Sequence, residues 1–165
     1  ATVHHMDKPI IAAVNGAASG LGCDLAFACD FVIAGSSATF AMAYLKRGLI
    51  PDGGGLYFLP RRVGIARAKE LIFSARTVGS DEARTIGLAD RIVDDGRLMT
   101  DAVAWAQSLC SGSASAIALS KSIINRSVDL SLETVFALGS EAQSICYASD
   151  EHHDAVTAFL NKSSR

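Results

Sequence analysis

Ile10-Ile11-Ala12-Ala13-Val14-Asn15-Gly16-Ala17-Ala18-Ser19-Gly20-Leu21-Gly22-Cys23-Asp24-Leu25-Ala26-Phe27-Ala28-Cys29-Asp30-Phe31-Val32-Ile33-Ala34 is the stretch that decides the fold class. Its two apolar runs, Ile10 to Val14 and Phe31 to Ala34, have the length of buried strands and not of helices. Between them stand small residues and three glycines, which predict a tight turn, and then an Ala/Leu/Phe run that reads as a short buried helix. Strand, glycine-rich turn, helix and strand in that order make a βαβ unit, and with it an α/β protein. Asp30, directly before the second strand, reads as a turn or capping residue.

Downstream, Thr39 to Gly48 leads into Leu49-Ile50-Pro51-Asp52-Gly53-Gly54-Gly55, where three consecutive glycines imply a close approach of backbone to a neighbour. The pattern then predicts a helix from about Gly55 to Leu59 stopped by Pro60, and a second over Ile65 to Phe73. A third begins at Ser80-Asp81-Glu82, where a cap is followed by two acids, and ends at Gly87. Arg91-Ile92-Val93 is the last strand candidate. From residue 96 the periodicity is helical only, with apolar stripes through Leu98, Ala102, Trp105 and Leu109, through Ile117, Ile124 and Val128, and through Leu132 to Ile145. A final helix covers Asp150 to Leu160. The division expected is an α/β core over residues 1–94 and a helical region over 95–165 that packs on the core and mediates oligomerisation.

The 165 residues are 50% hydrophobic and 19% charged, enough apolar surface for a folded core and too much for a disordered chain. The balance of 15 Lys and Arg against 17 Asp and Glu offers no basic field for nucleic acid. No apolar run approaches the ~18 residues of a membrane span, so no membrane partner is expected. Cys23, Cys29, Cys110 and Cys146 are scattered, with neither zinc spacing nor the density of a disulfide scaffold, and the opening residues lack the pattern of a secretory signal. A reducing, cytoplasmic setting and no metal site follow as expectations.

The glycine turn fits neither G-x-G-x-x-G nor a phosphate-binding P-loop. Ser19 does not form a nucleophile elbow either, because Ala17 stands where that motif has glycine. What the turn can supply is backbone N–H: at the mouth of a helix the first amides lack partners and lie at the positive end of the dipole, so Leu21 and Gly22 can face a developing negative charge. Asp52, between Pro51 and the glycines, is either the N-cap of the following helix or a general base whose apolar setting lifts its pKa. Asp24, on the short helix, is a second candidate acid, and a solvent-facing helix acid explains it equally.

Together, Lys8-Pro9-Ile10-Ile11-Ala12-Ala13-Val14-Asn15-Gly16, Gly20-Leu21-Gly22-Cys23-Asp24-Leu25-Ala26, Cys29-Asp30 and Gly48-Leu49-Ile50-Pro51-Asp52-Gly53-Gly54 resemble the crotonase, or enoyl-CoA hydratase/isomerase, family. Leu59-Pro60-Arg61-Arg62-Val63-Gly64, Ala83 to Asp90 and Ala158-Phe159-Leu160 continue the resemblance in the same order. It implies stacked ββα/βαβ units with a helical C-terminal region and assembly as a homotrimer or dimer of trimers. It also implies a coenzyme A thioester as substrate, with no separate cofactor, the thioester carbonyl being held by two backbone amides. The second amide falls on Leu21. The first belongs to a segment upstream of Lys8-Pro9, so the family core is expected to be N-terminally incomplete here and the chain a fragment of a longer polypeptide.

Hydratases resembling this chain use two glutamates. Their positions fall on Asp24, one methylene shorter, and on Tyr44, which holds no carboxylate. The Pro51-Asp52-Gly53-Gly54 form instead resembles isomerases of the phenylacetate pathway, in which the aspartate is the acid/base. The expectation is therefore an enoyl-CoA isomerase with Asp52 as proton shuttle, the Leu21 amide as oxyanion donor and Asp24 as a further catalytic candidate. Gly20, Gly22, Met42, Tyr44, Gly53 and Phe159 are expected at the substrate, and Lys162 and Arg165 near the coenzyme A phosphates. Hydration, covalent chemistry at an aspartate, as in the dehalogenase branch, and a non-catalytic acyl-CoA-binding or assembly role are the alternatives.

Overall fold

A computed structural model describes residues 2–110 and 112–163, which divide into two compact units. The first holds the residues up to His4 and Ile10–Gln107; the second holds His5–Pro9 and the residues from Ser108 onward.

In the first unit the chain alternates between two small sheets. β1 (Ile11–Val14) and β3 (Phe31–Gly35) pair in parallel, and β6 (Arg91–Val93) adds in parallel to the far side of β3. β2 (Ala17–Ser19) pairs in parallel with β4 (Thr39–Ala41), which pairs antiparallel with β5 (Thr77–Gly79). The first parallel pair is joined through α1 (Leu21–Phe27), the βαβ connection expected from the sequence. The glycine-rich separator is not all turn, however. Ala17 to Ser19 is itself a strand in the second sheet, and only its central Ala18 is buried. A three-residue strand of small side chains carries no hydrophobic alternation, so periodicity does not reveal it.

Helix α2 (Gly55–Val63) runs through Pro60 and ends at Gly64, which has φ 79°. The proline removes one backbone donor, but fully buried Leu59 anchors the helix before it and Arg62 anchors it after. Arg62 donates to Asp90 Oδ2 at 2.8 Å, and the same oxygen accepts the Val32 amide at 2.6 Å, tying α2 to the edge of β3. α3 (Ile65–Ser74) and α4 (Ser80–Ile86) lie where the sequence places them, and α4 ends at Gly87 with φ 86°. Ser80 does not cap α4: the N-cap is Gly79, and Ser80 Oγ donates instead to the Ser36 carbonyl at 2.7 Å. Asp30 Oδ2 accepts the Ile10 amide at 2.7 Å and thereby closes the start of β1.

The core between sheets and helices is formed by Val32, Ile33, Phe40, Leu59, Val78 and Leu88, with Phe27 stacked on Phe40 at a centroid distance of 6.1 Å. Helix α5 (Leu98–Leu109) buries Leu98, Ala102 and Trp105, and the Trp105 ring lies 5.0 Å from that of Phe31. The first unit therefore reaches past residue 94 to Gln107, because the apolar face of α5 is buried there.

The second unit is helical: α6 (Ala114–Ser127), α7 (Leu132–Tyr147) and α8 (Asp150–Ser163). Ser113 and Ser131 cap α6 and α7 through their side-chain oxygens. The Lys8 carbonyl accepts the Lys121 ammonium at 2.9 Å, which joins the Lys-Pro segment to α6. Among the described residues no single helix is long and apolar enough to cross a membrane, and no cluster of three or more metal-ligating side chains occurs. The cysteines are free thiols.

Candidate active site

The mouth of α1 is a left-handed glycine. Gly20 has φ 53°, its amide donates to the Ala41 carbonyl at 2.9 Å, and its carbonyl takes the Asp24 amide at 3.1 Å. That last bond closes the first turn, so the amides of Leu21, Gly22 and Cys23 have no partner within the helix. Leu21 and Gly22, whose amides were expected to face a thioester oxygen, are exposed residues.

One turn into α1, Asp24 is completely buried, which removes the reading of it as a solvent-facing acid. Its Oδ2 accepts the Tyr44 hydroxyl at 2.7 Å, while Oδ1 has no hydrogen-bond partner among the described residues. The rest of the carboxylate is enclosed by backbone. A β-carbon on Gly53 would lie 2.6 Å from Asp24 Oδ2 and 2.5 Å from Leu21 Cδ1, and one on Gly55 would collide with Asp24 Oδ1 and approach Met42 Cε to 2.6 Å. The triple glycine therefore marks the seating of the Pro51–Gly55 turn directly on α1. Gly53 serves this close approach, and Gly55, which the sequence reading left out of the site, shares it. The signal was the run of three glycines; the partner was not legible.

Tyr44 is half-buried, its ring covers Gly20, and burial together with the Asp24 carboxylate holds its phenol well above the usual range. Its hydroxyl is thus a neutral donor at neutral pH. Cys23, buried beside Asp24, is pushed up to about 12 by desolvation and donates to the Ala18 carbonyl at 3.0 Å, so it is not a nucleophile.

Asp52 is exposed on the same turn, close enough for its charge to act on Tyr44. It does not cap α2. The N-cap is Gly54, whose carbonyl accepts the Tyr57 and Phe58 amides, both at 2.9 Å. Nor is its setting the apolar one expected from the sequence, since the residue is exposed.

The structure thus brings Gly20, Leu21, Gly22, Asp24, Tyr44, Asp52 and Gly53 together in the first unit. Met42 is different: it is buried, touches the Gly55 backbone and belongs to the core wall behind the site and not to an open acyl pocket. Phe159 is exposed on α8 in the second unit. The Lys162 side chain and Arg165 lie outside the described residues.

Two small sheets joined through a short helix, with the unpaired first amides of α1 beside Asp24 and the Pro51–Gly55 turn, define the fold and its candidate site. The chain belongs to the enoyl-CoA hydratase/isomerase family, whose model matches residues 1–165. It is 41% identical over 157 residues to the short-chain-enoyl-CoA hydratase of Clostridium acetobutylicum, covering 95% of this chain and 60% of that protein. It is 38% identical over 159 residues to the 1,2-epoxyphenylacetyl-CoA isomerase of Escherichia coli, covering 96% and 61%. The crystal structure of an enoyl-CoA hydratase/isomerase from Cupriavidus metallidurans superposes with a TM-score of 0.93 at 40% identity, over 97% of this chain and 60% of that one. The crotonase architecture expected from the sequence is therefore present, and the chain spans about 60% of the length of these relatives.

Proposed function

We propose that the site moves a proton on an acyl-CoA thioester, shifting a double bond, with Asp52 as the acid/base. The observation that carries this reading is the Tyr44 to Asp24 hydrogen bond of 2.7 Å on a carboxylate with no exposed surface. It engages the one acid on α1 and leaves Asp52, next in sequence to the Gly53 that packs on Leu21 and Asp24, as the solvent-accessible carboxylate of that turn. The proton balance is simple. Asp52 takes a proton from the carbon next to the thioester carbonyl, and the C–H electron pair moves into an enolate whose oxygen is held by the Leu21 amide. The enolate then collapses through the neighbouring double bond, and the carboxylic acid of Asp52 returns the proton two carbons further on. The carbonyl of the thioester regenerates, no group is lost, and coenzyme A enters and leaves as part of the ligand.

Water addition is the second reading, favoured by the Clostridium acetobutylicum relative. It requires a carboxylate to orient water, and Asp24 with both oxygens enclosed is poorly placed for that. The two are separated by incubating the complete polypeptide with vinylacetyl-CoA and with crotonyl-CoA in deuterated water. Conversion of the first into the conjugated thioester, lost in Asp52→Asn, supports isomerisation. Rapid formation of the hydroxyacyl thioester from the second, undiminished in Asp52→Asn and lost in Asp24→Asn, replaces it with hydration.

A further inference from the structure

We infer that Tyr44 is a positioning residue, whose hydroxyl locks Asp24 against the Pro51–Gly55 turn and so fixes where the Asp52 carboxylate stands. The inference rests on the proton-transfer reading and assigns to Tyr44 a role other than lining an acyl pocket.

Three pieces of chain meet at this one residue, two through its side chain and one through its backbone carbonyl. The ring lies on Gly20, with Cε2 and Cζ each 3.7 Å from the position a β-carbon would take there, next to the open Leu21 amide. The hydroxyl donates to Asp24 Oδ2 at 2.7 Å. The Tyr44 carbonyl accepts the amides of Arg47 at 2.9 Å and Leu49 at 3.1 Å, which folds the connection that delivers Pro51 and Asp52 to the site. Asp24 in turn is enclosed by Gly53 and Gly55. The phenol thus touches the mouth of α1 directly and reaches the turn that carries the base through Asp24.

Physical chemistry favours a fixed pair over a mobile one. A buried carboxylate stripped of its donor must find another or draw in water, and either outcome moves the backbone packed against it. Burial and the adjacent carboxylate keep the hydroxyl a neutral donor at neutral pH. Asp52 itself is exposed and free of such anchoring among the described residues, so its placement depends on the turn beneath it. A misplacement of the order of 1 Å costs about a hundredfold in rate.

The test compares three variants of the complete polypeptide with vinylacetyl-CoA as the probe, folding being checked by circular dichroism. Tyr44→Phe keeps the ring on Gly20 and removes only the hydroxyl; kcat is expected to fall about tenfold to a hundredfold with KM within about twofold, because the thioester still reaches the Leu21 amide. Asp24→Asn retains an oxygen that accepts from Tyr44 and is expected to lose less than Tyr44→Phe. A Tyr44→Phe variant with unchanged kcat, or an Asp24→Asn variant as impaired as Asp52→Asn, overturns the positioning role. Asp52→Asn is the separate control: if it turns over at the full rate the proton-transfer reading itself fails, whereas its inactivity beside a fully active Tyr44→Phe removes the present inference alone.

Discussion

Tyr44 Oη stands 2.7 Å from Asp24 Oδ2 and joins two segments twenty residues apart, the second turn-forming face of α1 and the connection after β4. By the family resemblance, these are the two positions expected to carry glutamates in a hydratase. A phenol and a shortened carboxylate fill the space by hydrogen-bonding to each other, with glycine backbone closing over the pair.

Lengthening Asp24 tests how tightly that space is filled. In Asp24→Glu the added methylene drives the carboxylate into the backbone of Gly53 and Gly55, an overpacking expected to cost about 1–3 kcal/mol. Urea denaturation reads it as a lower midpoint at unchanged slope. An unchanged midpoint means the turn yields freely, contrary to the packing described.

Asp52→Asn separates chemistry from stability. Because Gly54, not Asp52, caps α2 and the side chain is exposed, the unfolding free energy read from thermal denaturation is expected to change by no more than about ±0.5 kcal/mol, as is typical of surface changes. The rate of double-bond migration is expected to fall by about 10²–10⁴, the usual contribution of a general base. A silent variant in both measurements leaves Asp52 without a role.

The Arg62 and Asp90 pair holds α2 on β3. Its donor side chain is 13% exposed and the acceptor 36%, so solvent screens it only in part. Arg62→Met is expected to destabilise the chain by about 1–3 kcal/mol, since Asp90 then keeps only the Val32 amide. Thermal denaturation with Asp90→Asn as the companion checks this: the asparagine still accepts from Val32, and the double variant is expected to lose less than the two single losses combined.

Arg76 binds two carboxylates, Glu70 at 2.6 Å and Glu82 at 2.6 Å, and through its hydrogen bonds holds both below their ordinary value of 4.5. A carboxylate depressed in the folded state adds stability that is complete above its unfolded value and is lost as pH falls through the folded one. Melting temperatures measured downward from about pH 6 are therefore expected to drop for the wild type below the unfolded value, with a shallower acid limb in Arg76→Gln. Parallel acid limbs in the two proteins contradict this account.

Self-association is expected through the helical second unit. Ile124, Val128, Leu132, Phe136 and Phe159 are all more than 60% exposed, and several large apolar side chains left in water on one unit favour burial against a second copy. Sedimentation velocity at micromolar concentration is expected to give a species larger than one chain, and Phe136→Glu with Val128→Glu a smaller one. A monomer throughout the range removes the expectation.

Local pattern carried much of this. The apolar runs around Val14 and Val32, the glycine that ends α4 and the helical stripes after residue 96 are short-range features, and each is read from neighbours a few positions away. The open amide at Leu21 also follows locally, since any helix leaves its first donors unpaired. Family resemblance added Tyr44 as a position and gave roles to Asp24 and Asp52, which the sequence already offered as candidate acids. Their environments were not legible, because burial is a property of what lands on top. Asp24 reads as an ordinary helix acid until Gly53 and Gly55 close over it, Met42 as a pocket residue until Gly55 meets it, and Asp52 as a cap until Gly54 takes that place. The strand Ala17–Ser19 likewise exists only because β4 is there to pair with it. Local sequence determined most of the helices and the longer strands; only tertiary packing, which brings Tyr44 within hydrogen-bonding distance of Asp24 and seats Gly53 and Gly55 against it, decided which carboxylate is enclosed and which is left facing solvent.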